Sequence, residues 1–452
     1  MNKLEIDQTI TLHIHGLGSS GEGVGYFNDY AIFVDGALPG ETVEARLFRT
    51  QKRCGWAQLT KVITPSSDRI TPICNYFGEC GGCQLMHLAY AKQLEMKRQR
   101  VVDAIQRIGK IESCEIAPCL PSPHSLGYRN KIQLPVRKKN EGIALGLYAR
   151  SSHDLVEIEG CHIHCSMGEQ VYKLASEIIK HSGIEPYDPQ TGEGELRHLL
   201  IKSAVNTEEA LVILVTNRKA TPLLAHIAKE IMAKCPYVKG VVHNLQSGRD
   251  NVILGHTYTT LEGSGYIQEL LSELTFKVSP ASFFQVNPQQ AEQLYNQALT
   301  FAELSGNETV LDAYCGVGTL SLYFAKNAKK VIGIECVPEA IADAKENAKI
   351  NQIQNCSFIC APVEAYISSL SNIDVALLNP PRKGCELSFL KGIARIAPKK
   401  IIYISCDPAT LARDLAHLQQ FGYAINQIQP FDMFPQTSHV ECVVKLSLSI
   451  TR

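Results

Sequence analysis

VLDAYCGVGTLSLYFA, residues 310–325, has the pattern of a buried strand, a tight glycine turn and a helix that follows directly. Asp312 lies near the end of the apolar run, and Gly316 and Gly318 lie in the turn. Glycine lets the backbone approach a ligand closely, and the first turn of a helix leaves N–H groups free to bind one. The stretch therefore predicts a unit that binds a nucleoside cofactor, although a GxG turn alone is also compatible with a tight turn that holds no ligand.

Four further apolar runs follow within residues 286–452, each separated from the next by a segment of helical character: VIGIE, CSFIC, DVALLN and KIIYISC. This alternation predicts an α/β domain with a doubly wound, Rossmann-like parallel sheet. Glu335 ends VIGIE, where an acid can accept hydrogen bonds from ribose hydroxyls. The third glycine of a dinucleotide-binding turn is absent, which disfavours a nicotinamide dehydrogenase. NPPR at residues 379–382 is instead typical of methyltransferases that hold a planar base near a sulfonium methyl group.

Two side chains at the carboxyl edge of this sheet predict covalent chemistry. Cys406 follows the strand KIIYIS and precedes a predicted helix, whose dipole is expected to favour a thiolate. Glu441 begins the last apolar run, and the terminal strand of a methyltransferase sheet is antiparallel to its neighbours. Its start then lies beside the carboxyl ends of the other strands. An isolated cysteine at a strand end is more often structural, so only the combination with a carboxylate and a methyl donor supports a nucleophile.

The combination suits methylation of carbon 5 of uracil, which is a poor nucleophile until another group adds to carbon 6. Addition of the Cys406 thiolate produces an enolate whose carbon 5 attacks a methyl group. Glu441 then removes the proton from carbon 5, and elimination releases the thiol and restores the ring. None of these steps requires a metal ion.

Five successive motifs between residues 279 and 444 resemble those of the RNA uracil-5-methyltransferase family: SPASFFQVN (279–287), LDAYCGVGTLSL (311–322), NPPRKG (379–384), SCDPATLARDL (405–415) and FPQTSHVECVV (434–444). With the N-terminal features, the resemblance covers nearly the whole chain. The resemblance implies S-adenosylmethionine as cofactor and Cys406 and Glu441 as catalytic residues. It also implies that the cofactor contacts Gln285, Tyr314 and Glu335, together with Asn379 at the place of the family's usual acid.

Two positions depart from the family's pattern. Asn379 stands where DPPR is usual, and Asp407 stands where SCNP is usual. Asparagine loses the negative charge but keeps an acceptor oxygen and gains donors, so we expect methylation to persist. The NPPR motif leaves open an amino-methyltransferase or a variant of reduced activity. A further alternative is a non-catalytic RNA-binding protein, which the joint retention of Cys406, Glu441 and the glycine turn disfavours.

A cysteine cluster near residue 80 predicts a metal site. Cys74, Cys80 and Cys83 form a C-x5-C-x2-C array, and Cys161 in IEGCHIHC can supply a fourth thiolate. Four thiolates suit an iron–sulfur cluster or zinc, and the spacing does not decide between them. The family resemblance implies a 4Fe-4S cluster, because one branch carries this array together with an N-terminal barrel. Cys165 could replace Cys161, and His162 or His164 could enter a zinc site.

The N-terminal segment predicts a small RNA-binding barrel. Residues 5–62 contain short alternating runs separated by glycine-rich turns, a pattern typical of a five-stranded, OB-like barrel. With Lys52, Arg53 and Trp56 near one strand boundary, the segment resembles the TRAM type of RNA-binding barrel. An ordinary small β domain would show the same alternation.

A basic strand predicts contacts with an RNA backbone. YRNKIQLPVRKK, residues 128–139, carries five basic residues and no acid, and a turn is expected at residues 140–142. Lys131 and Gln133 are expected to line one strand face along the phosphates. A solvated basic strand is the alternative. Anchoring of this kind would serve to flip a uridine into the catalytic cleft.

Composition and length bound the remaining expectations. The chain has 452 residues, of which 45% are hydrophobic and 20% charged, which is enough for several cores. We expect a TRAM-like barrel over residues 1–62, a central α+β domain with the cysteine cluster over 63–285, and the methyltransferase domain over 286–452. A helix predicted at 88–109 is expected to pack on the catalytic domain despite its position in the chain.

The partners and location follow from absences and from the resemblance. No apolar run approaches the roughly 20 residues of a membrane helix, and the start MNKLEIDQTI has no apolar signal core, so we expect no membrane partner and a cytoplasmic location. A net charge of −1 gives no global sign of a nucleic-acid partner. A barrel combined with the cluster resembles the large-subunit ribosomal RNA enzymes more than the transfer RNA enzymes, which implies 23S rRNA as substrate. A monomer is the default expectation.

Overall fold

The N-terminal strands of the computed structural model, which describes residues 4–139 and 142–449, close into a barrel. They are β1 (Thr9–Leu17), β2 (Gly23–Phe27), β3 (Tyr30–Asp35), β4 (Thr42–Thr50) and β5 (Cys54–Thr64), in the spatial order β1-β2-β3-β5-β4. Ile10, Leu12 and Ile14 of β1 point into the core while the residues between them are exposed, as a half-buried strand requires. The predicted five-stranded barrel is confirmed. The turn expected at residues 140–142 lies largely outside the described residues.

A helix and a short strand follow the cysteine-bearing segment. They are α1 (Tyr90–Arg107) and β6 (Glu115–Ile116).

The central part of the chain forms a seven-stranded mixed sheet with two helices. Its elements are β7 (Lys131–Lys139), β8 (Gly142–Tyr148), β9 (Leu155–Glu157), α2 (Ser166–His181), β10 (Leu196–Ala204), β11 (Glu209–Thr216), α3 (Pro222–Lys234), β12 (Val238–Leu245) and β13 (Thr257–Gly263). The strand order is β13-β12-β11-β10-β7-β8-β9, and α2 and α3 pack on one face through a shared apolar core. A separate hairpin of β14 (Ile267–Leu271) and β15 (Leu274–Val278) leads to the catalytic part.

The C-terminal part alternates helices and strands. Its elements are α4 (Pro288–Ala302), β16 (Thr309–Ala313), α5 (Thr319–Ala325), β17 (Lys330–Glu335), α6 (Pro338–Ile350), β18 (Cys356–Cys360), α7 (Val363–Tyr366), β19 (Val375–Leu378), α8 (Leu387–Ile396), β20 (Lys400–Ser405), α9 (Pro408–Gln420), β21 (Tyr423–Phe431) and β22 (Glu441–Leu448). The seven strands of this part and the upstream strand β6 form an eight-stranded sheet in the order β18-β17-β16-β19-β20-β22-β21-β6.

Helices cover both faces of this sheet, because successive residues of its central strands point to opposite cores. Leu311 and Tyr403 belong to the core under α8 and α9, whereas Val310 and Ile402 belong to the core under α4 and α5. Strands buried on both faces are near-continuous apolar runs, as β16 and β19 are. The predicted α/β fold with a doubly wound sheet is therefore confirmed.

Residues far upstream complete the catalytic sheet. β6 pairs in parallel with β21 at the edge of the eight-stranded sheet, through Gln427 opposite Glu115 and Ile428 opposite Ile116. α1 packs against α9, and Val101 and Ile105 of α1 are buried in the same core as the catalytic strands. The helix predicted at 88–109 therefore packs on the catalytic sheet.

No helix in the described ranges, residues 4–139 and 142–449, combines the length and apolar character that a membrane span demands.

Candidate active site

Parallel strands bring the predicted site residues to one edge of the eight-stranded sheet. β16, β17, β19 and β20 all run in the same direction. Glu335 ends β17, Asn379 follows β19, and Cys406 follows β20. β22 is antiparallel to β20, so its first residue, Glu441, lies at this same edge. The expected convergence of these four residues is present in the fold.

A cleft beside the glycine turn contains three of the residues expected to contact a cofactor. Gln285, Tyr314 and Asn379 line it. The other lining residues are Phe283, Phe284, Tyr295, Asp312, Cys315, Gly316, Val317, Thr319 and Leu320. Glu335 stands next to the turn, because its Oε2 accepts a hydrogen bond from the Gly316 N–H at 3.2 Å. All four expected cofactor residues therefore surround one cleft.

The turn between β16 and α5 uses left-handed backbone at three positions. Tyr314, Gly316 and Gly318 have φ values of +66°, +53° and +80°. A Cβ atom at Gly316 would meet nothing within 4 Å, so the space above this residue is open to a ligand. A Cβ at Gly318 would stand 3.1 Å from Ala344 and from Phe358, so this glycine allows the turn to pack closely on its neighbours. The two glycines thus serve different purposes.

Asp312 supplies an unsatisfied acceptor at the cleft. Its carboxyl group is buried, its Oδ2 accepts a hydrogen bond from Ser321 Oγ at 2.6 Å, and its Oδ1 has no partner among the described residues. Burial raises the pKa of Asp312 to about 7. A buried acceptor without a donor is costly unless a ligand or water completes it. This orphaned oxygen, together with the open space above Gly316, fits a bound nucleoside cofactor with donor groups.

Glu335 is held in place by backbone donors. Its Oε1 accepts hydrogen bonds from the N–H groups of Cys336 at 2.7 Å and Val337 at 3.1 Å, in addition to the bond from Gly316 to Oε2. The Cys336 thiol also donates to Oε1 at 3.2 Å, so three donors reach Oε1. Oε2 accepts only the Gly316 N–H among these bonds, so the remaining acceptor capacity for a ribose hydroxyl is on Oε2. The sequence-based role of Glu335 as a ribose acid is compatible with this geometry.

Cys406 and Glu441 lie at the same end of two antiparallel strands. Ser405, the last residue of β20, pairs with Cys442 in β22, and Cys406 and Glu441 are the residues that adjoin this pair at the carboxyl edge. Cys406 is half-buried and Glu441 is buried. The two groups are close enough for the charge of the Glu441 carboxylate to affect the thiol.

The environment of Cys406 raises the pKa of its thiol, contrary to the expectation from the helix dipole. Burial is the main cause, the charges of Glu441 and Asp407 act in the same direction, and the Arg382 guanidinium opposes them. Asp407 is the N-cap of α9, and its Oδ1 accepts hydrogen bonds from the N–H groups of Ala409 at 3.0 Å and Thr410 at 2.9 Å. The cap places a negative charge at the end of the helix whose dipole was expected to stabilise the thiolate.

Glu441 is poised to exchange a proton near neutral pH. Burial raises the pKa of its carboxyl group to about 7. A general base works best when its pKa lies close to the working pH. A surface glutamate would be a weaker base, because its proton affinity is lower.

The segment before Glu441 is tied to elements from upstream in the chain. Gln436 O accepts hydrogen bonds from the backbone N–H groups of Gln84 at 3.0 Å and Leu85 at 2.9 Å, directly after the last cysteine of the array. Gln93 Nε2 donates to Gln436 Oε1 at 3.0 Å, and Gln436 has a left-handed φ of +70°. Lys97 of α1 pairs with Asp432 at 2.5 Å, with both side chains almost fully buried.

Two functional candidates were missed in the sequence, although each left a signal. Arg382 is the last residue of NPPR, and its charge acts on the Cys406 thiol. Lys202 lies in β10, LRHLLIKSA, where all nine residues are buried. Lysine is rarely buried, because burying its charge is costly, so a lysine inside such a strand indicates a specific structural or functional requirement.

Three of the four cysteines of the predicted metal site lie at one apolar patch. Cys74, Cys83 and Cys161 pack against the buried cluster of Met86, Tyr128 and Ile163. Burial and the charges of the other three thiols raise the pKa of Cys83, which shows that Cys74, Cys80 and Cys161 lie nearby. The Gly82 N–H donates to Cys80 Sγ at 3.4 Å. Within the described part of the chain, no group of three or more His, Cys, Asp or Glu side chains is arranged as a ready metal site.

The alternatives for the fourth ligand lie in different surroundings. Cys165 is buried at the N-cap of α2 and interacts with Ser203. His164 Nδ1 is 3.0 Å from Glu169 Oε2, which engages that ring nitrogen. Cys161 interacts electrostatically with Cys80, and burial raises the pKa of its thiol to about 11.

The predicted RNA-binding segments present basic and aromatic groups at the surface. In β7, Lys131 and Gln133 are half-buried on one face and Lys138 and Lys139 are exposed. In the barrel, Arg49 lies 4.9 Å above the Trp56 ring. Lys52 and Arg53 are exposed in the turn before β5.

This cleft and sheet define a nucleoside-cofactor enzyme of the methyltransferase fold, and comparison with known proteins specifies its family. Residues 260–449 match the family model described as tRNA (Uracil-5-)-methyltransferase, and residues 3–60 match the TRAM domain. A Clostridium tetani protein named "Uncharacterized RNA methyltransferase" is 41% identical over 98% of this chain and 96% of its own length. A Clostridium acetobutylicum relative with the same description is 42% identical over 96% of this chain and 95% of its own.

A solved structure extends the similarity to the whole architecture. The crystal structure of Pyrococcus abyssi tRNA (uracil-54, C5)-methyltransferase in complex with S-adenosyl-L-homocysteine aligns with a TM-score of 0.77 and 29% identity, covering 97% of this chain and 100% of that one. The chain therefore belongs to the tRNA (uracil-5-)-methyltransferase family, and it is an S-adenosylmethionine-dependent RNA (uracil-5-)-methyltransferase.

Proposed function

We propose that the protein methylates carbon 5 of one specific uridine in RNA through a covalent bond between Cys406 and carbon 6 of the base. The observation that carries this proposal is that Cys406 and Glu441 lie at the same edge of the sheet as the cofactor cleft, close enough for the Glu441 charge to act on the thiol. S-adenosylmethionine, when bound, supplies an electrophilic methyl group. Gln285, Tyr314, Glu335 and Asn379 are the residues proposed to hold it.

Cys406 is the proposed nucleophile. Its sulfur forms a bond to carbon 6, the electrons of the 5,6 double bond move toward the oxygen on carbon 4, and carbon 5 becomes nucleophilic. Because the pKa of this thiol is raised, little thiolate exists in the free protein near neutral pH, and Arg382 is the nearby cation that favours it. We expect the rate of addition to rise with pH.

Glu441 is the proposed base of the second half of the reaction. After carbon 5 has gained the methyl group, its carboxylate removes the proton that remains on this carbon. The electron pair released re-forms the 5,6 double bond and expels the Cys406 sulfur as a thiolate. The raised pKa of Glu441 makes its carboxylate a stronger base than an exposed glutamate.

The proposed substrate is 23S rRNA, from the resemblance of the barrel and cysteine array to the large-subunit enzymes. A transfer RNA is the second candidate, because the Pyrococcus abyssi enzyme named for tRNA uracil-54 aligns with 97% of this chain. Because that enzyme aligns with nearly the whole chain, the presence of the barrel does not by itself distinguish an rRNA substrate from a tRNA substrate. We further propose that the protein acts as a monomer in the cytoplasm.

Nucleoside mass spectrometry tests the reaction and the substrate together. 23S rRNA and transfer RNA are isolated from cells with the gene, without it, and with the gene restored as wild type or as Cys406→Ala. Loss of 5-methyluridine from one RNA, recovered only by the wild type, is the expected result. Normal 5-methyluridine with the folded Cys406→Ala protein would refute the covalent mechanism. Loss of a methylated amino base instead would favour the amino-methyltransferase suggested by Asn379.

We propose that Cys74, Cys80, Cys83 and Cys161 hold a 4Fe-4S cluster, with zinc as the lesser alternative. The apolar surroundings of the thiols and the N–H donor on Cys80 Sγ are typical of thiolate-bound clusters. The proposed role is structural, in positioning RNA-binding segments. Iron, sulfide and zinc are measured on anaerobically purified wild type, Cys161→Ser and Cys165→Ser proteins. Iron and sulfide lost only from Cys161→Ser are expected, whereas one zinc per chain and no sulfide would contradict the cluster.

A further inference from the structure

A second pocket adjoins the cofactor cleft and has no role in the reaction described above. It lies between β7 and β10 of the central sheet, the β14–β15 hairpin and the segment after β15. Its lining includes Lys131, Lys202, Glu269, Ser282, Phe283 and Phe284. Phe283 and Phe284 also line the cofactor cleft, so the two cavities are neighbours.

Two lysines stand opposite each other inside this pocket. Lys202 pairs directly with Lys131 in the antiparallel ladder of β10 and β7, so both side chains lie on one face of the sheet. Lys202 is only 6% exposed, and Lys131 is half-buried. Like charges directly opposite in a ladder destabilise it, and burial increases the cost. The pKa of each lysine is lowered, chiefly by burial, and that of Lys202 falls to about 7.

The nearby acids do not balance these charges. Asp343 pairs with Lys277 at 3.5 Å and accepts a hydrogen bond from Ser279 Oγ at 2.8 Å. Glu269, on the pocket wall, accepts hydrogen bonds from the backbone N–H groups of Val205, Asn206 and Leu270. Burial raises the pKa of Glu269 to about 7, which reduces its charge near neutral pH.

Lys202 also connects the pocket to the cleft. Its Nζ donates to Ser279 O and to Ser282 O, both at 2.7 Å, and these carbonyls flank the segment that continues into Phe283, Phe284 and Gln285. Two donated bonds leave one N–H of the ammonium group. Lys131, opposite, donates no side-chain hydrogen bond within the described residues. The pocket therefore presents the Lys131 side chain and the third N–H of Lys202 one segment away from the cofactor cleft.

We propose that Lys131 and Lys202 bind one phosphodiester of the RNA substrate, next to the uridine that enters the cleft. The proposal rests on the proposed function, because it requires an RNA whose target base is flipped beside this pocket. A flipped nucleotide stays joined to the backbone through its phosphates. Cations that bind one of these phosphates therefore fix the position of the base. Phe283 is 70% exposed at the opening of the pocket, where the RNA strand would pass.

The test uses methylphosphonate substitution, which removes the charge of one phosphate at a time. A short RNA carrying the target uridine is prepared with a single neutral linkage at each position in turn, and its dissociation constant is measured. Wild type is expected to lose about tenfold in affinity at one linkage beside the target, which corresponds to about 1.4 kcal/mol. Lys131→Gln is expected to bind the substituted and unsubstituted RNA equally.

Two variants control for unrelated effects of charge. Lys138→Gln removes an exposed lysine from the same strand outside the pocket, so it should keep the wild-type sensitivity to the neutral linkage. Lys131→Arg keeps the charge and should preserve sensitivity as well. In Lys131→Gln, the slope of log affinity against log salt concentration should fall by about 0.7, the value for one phosphate contact on a single strand.

Other outcomes overturn the proposal. Equal sensitivity of wild type and Lys131→Gln at every linkage would show that no phosphate lies in the pocket. Weaker binding of labelled S-adenosylmethionine by Lys131→Gln without RNA, with unchanged linkage sensitivity, would assign the anion as the cofactor's carboxylate. RNA binding is measured separately from 5-methyluridine formation. Failure of this phosphate site is therefore distinguishable from failure of the proposed reaction.

Discussion

Replacement of Glu441 by glutamine is expected to stabilise the fold while it stops turnover. Burial raises the pKa of Glu441 from its ordinary value of 4.5 to about 7. The difference of 2.5 pKa units corresponds to about 3 kcal/mol at 1.36 kcal/mol per unit. Glutamine has nearly the same shape and no charge to desolvate, so it should remove this cost.

The sign of the effect follows from proton binding. Between pH 4.5 and about 7 the folded protein keeps the Glu441 proton and the unfolded chain releases it. The free energy of unfolding contributed by this group is therefore highest below pH 4.5 and falls as pH rises through about 7. Above pH 7 the glutamate costs the fold up to about 3 kcal/mol. The advantage of Glu441→Gln over wild type should be near zero at pH 4.5 and should approach that value at pH 8.

Urea unfolding at several pH values measures this difference. Asp312 has a similarly raised pKa but is present in both proteins, so it cancels in the comparison. Glu386→Gln removes an exposed carboxylate in the same half of the chain and should show no gain that grows with pH. When the same protein is incubated with RNA and S-adenosylmethionine, Glu441→Gln should accumulate a covalent protein–RNA product, because proton removal precedes release of Cys406. Equal unfolding free energies of wild type and Glu441→Gln at pH 5 and pH 8 would refute the reasoning.

Three further changes probe the surroundings of the site. Asp407→Asn keeps the cap of α9 but removes a charge that raises the pKa of Cys406, so alkylation of this thiol at pH 8 should become faster, and an unchanged rate would contradict this account. Lys97→Met leaves Asp432 buried and unpaired and should cost about 3–5 kcal/mol in urea unfolding, with a smaller loss in the double variant that also carries Asp432→Asn. Gln436→Gly should be more stable than Gln436→Ala by about 1 kcal/mol, because glycine adopts the left-handed φ without strain; the reverse order would argue against strain there.

Much of the architecture follows from patterns that burial imposes on the sequence. β1 alternates because one face fills the barrel, and β16 is apolar throughout because helices cover both faces of its sheet. The positions of Glu335 and Cys406 follow from the rule that parallel strands share a carboxyl edge. Glu441 was found at that edge because the last strand is antiparallel.

Features that depend on long-range packing could not be predicted from such local patterns. β6 has two residues, too few for any periodicity, and its partner β21 is distant in the chain. The pKa of Cys406 depends on burial and on the charges of Glu441 and Arg382, which only the fold brings together. The pairing of Lys131 with Lys202 likewise required the register of β7 and β10.

The addition of β6 and α1 to the catalytic sheet has a consequence for how the chain is made. During synthesis these segments leave the ribosome well before β21, the strand that β6 pairs with, exists. Val101 and Ile105 stay exposed until α9 and the later strands have been made, because these elements bury them. The segment of residues 90–116 and the C-terminal strands therefore complete their packing together. A fragment that begins at residue 286 should aggregate through its uncovered sheet edge.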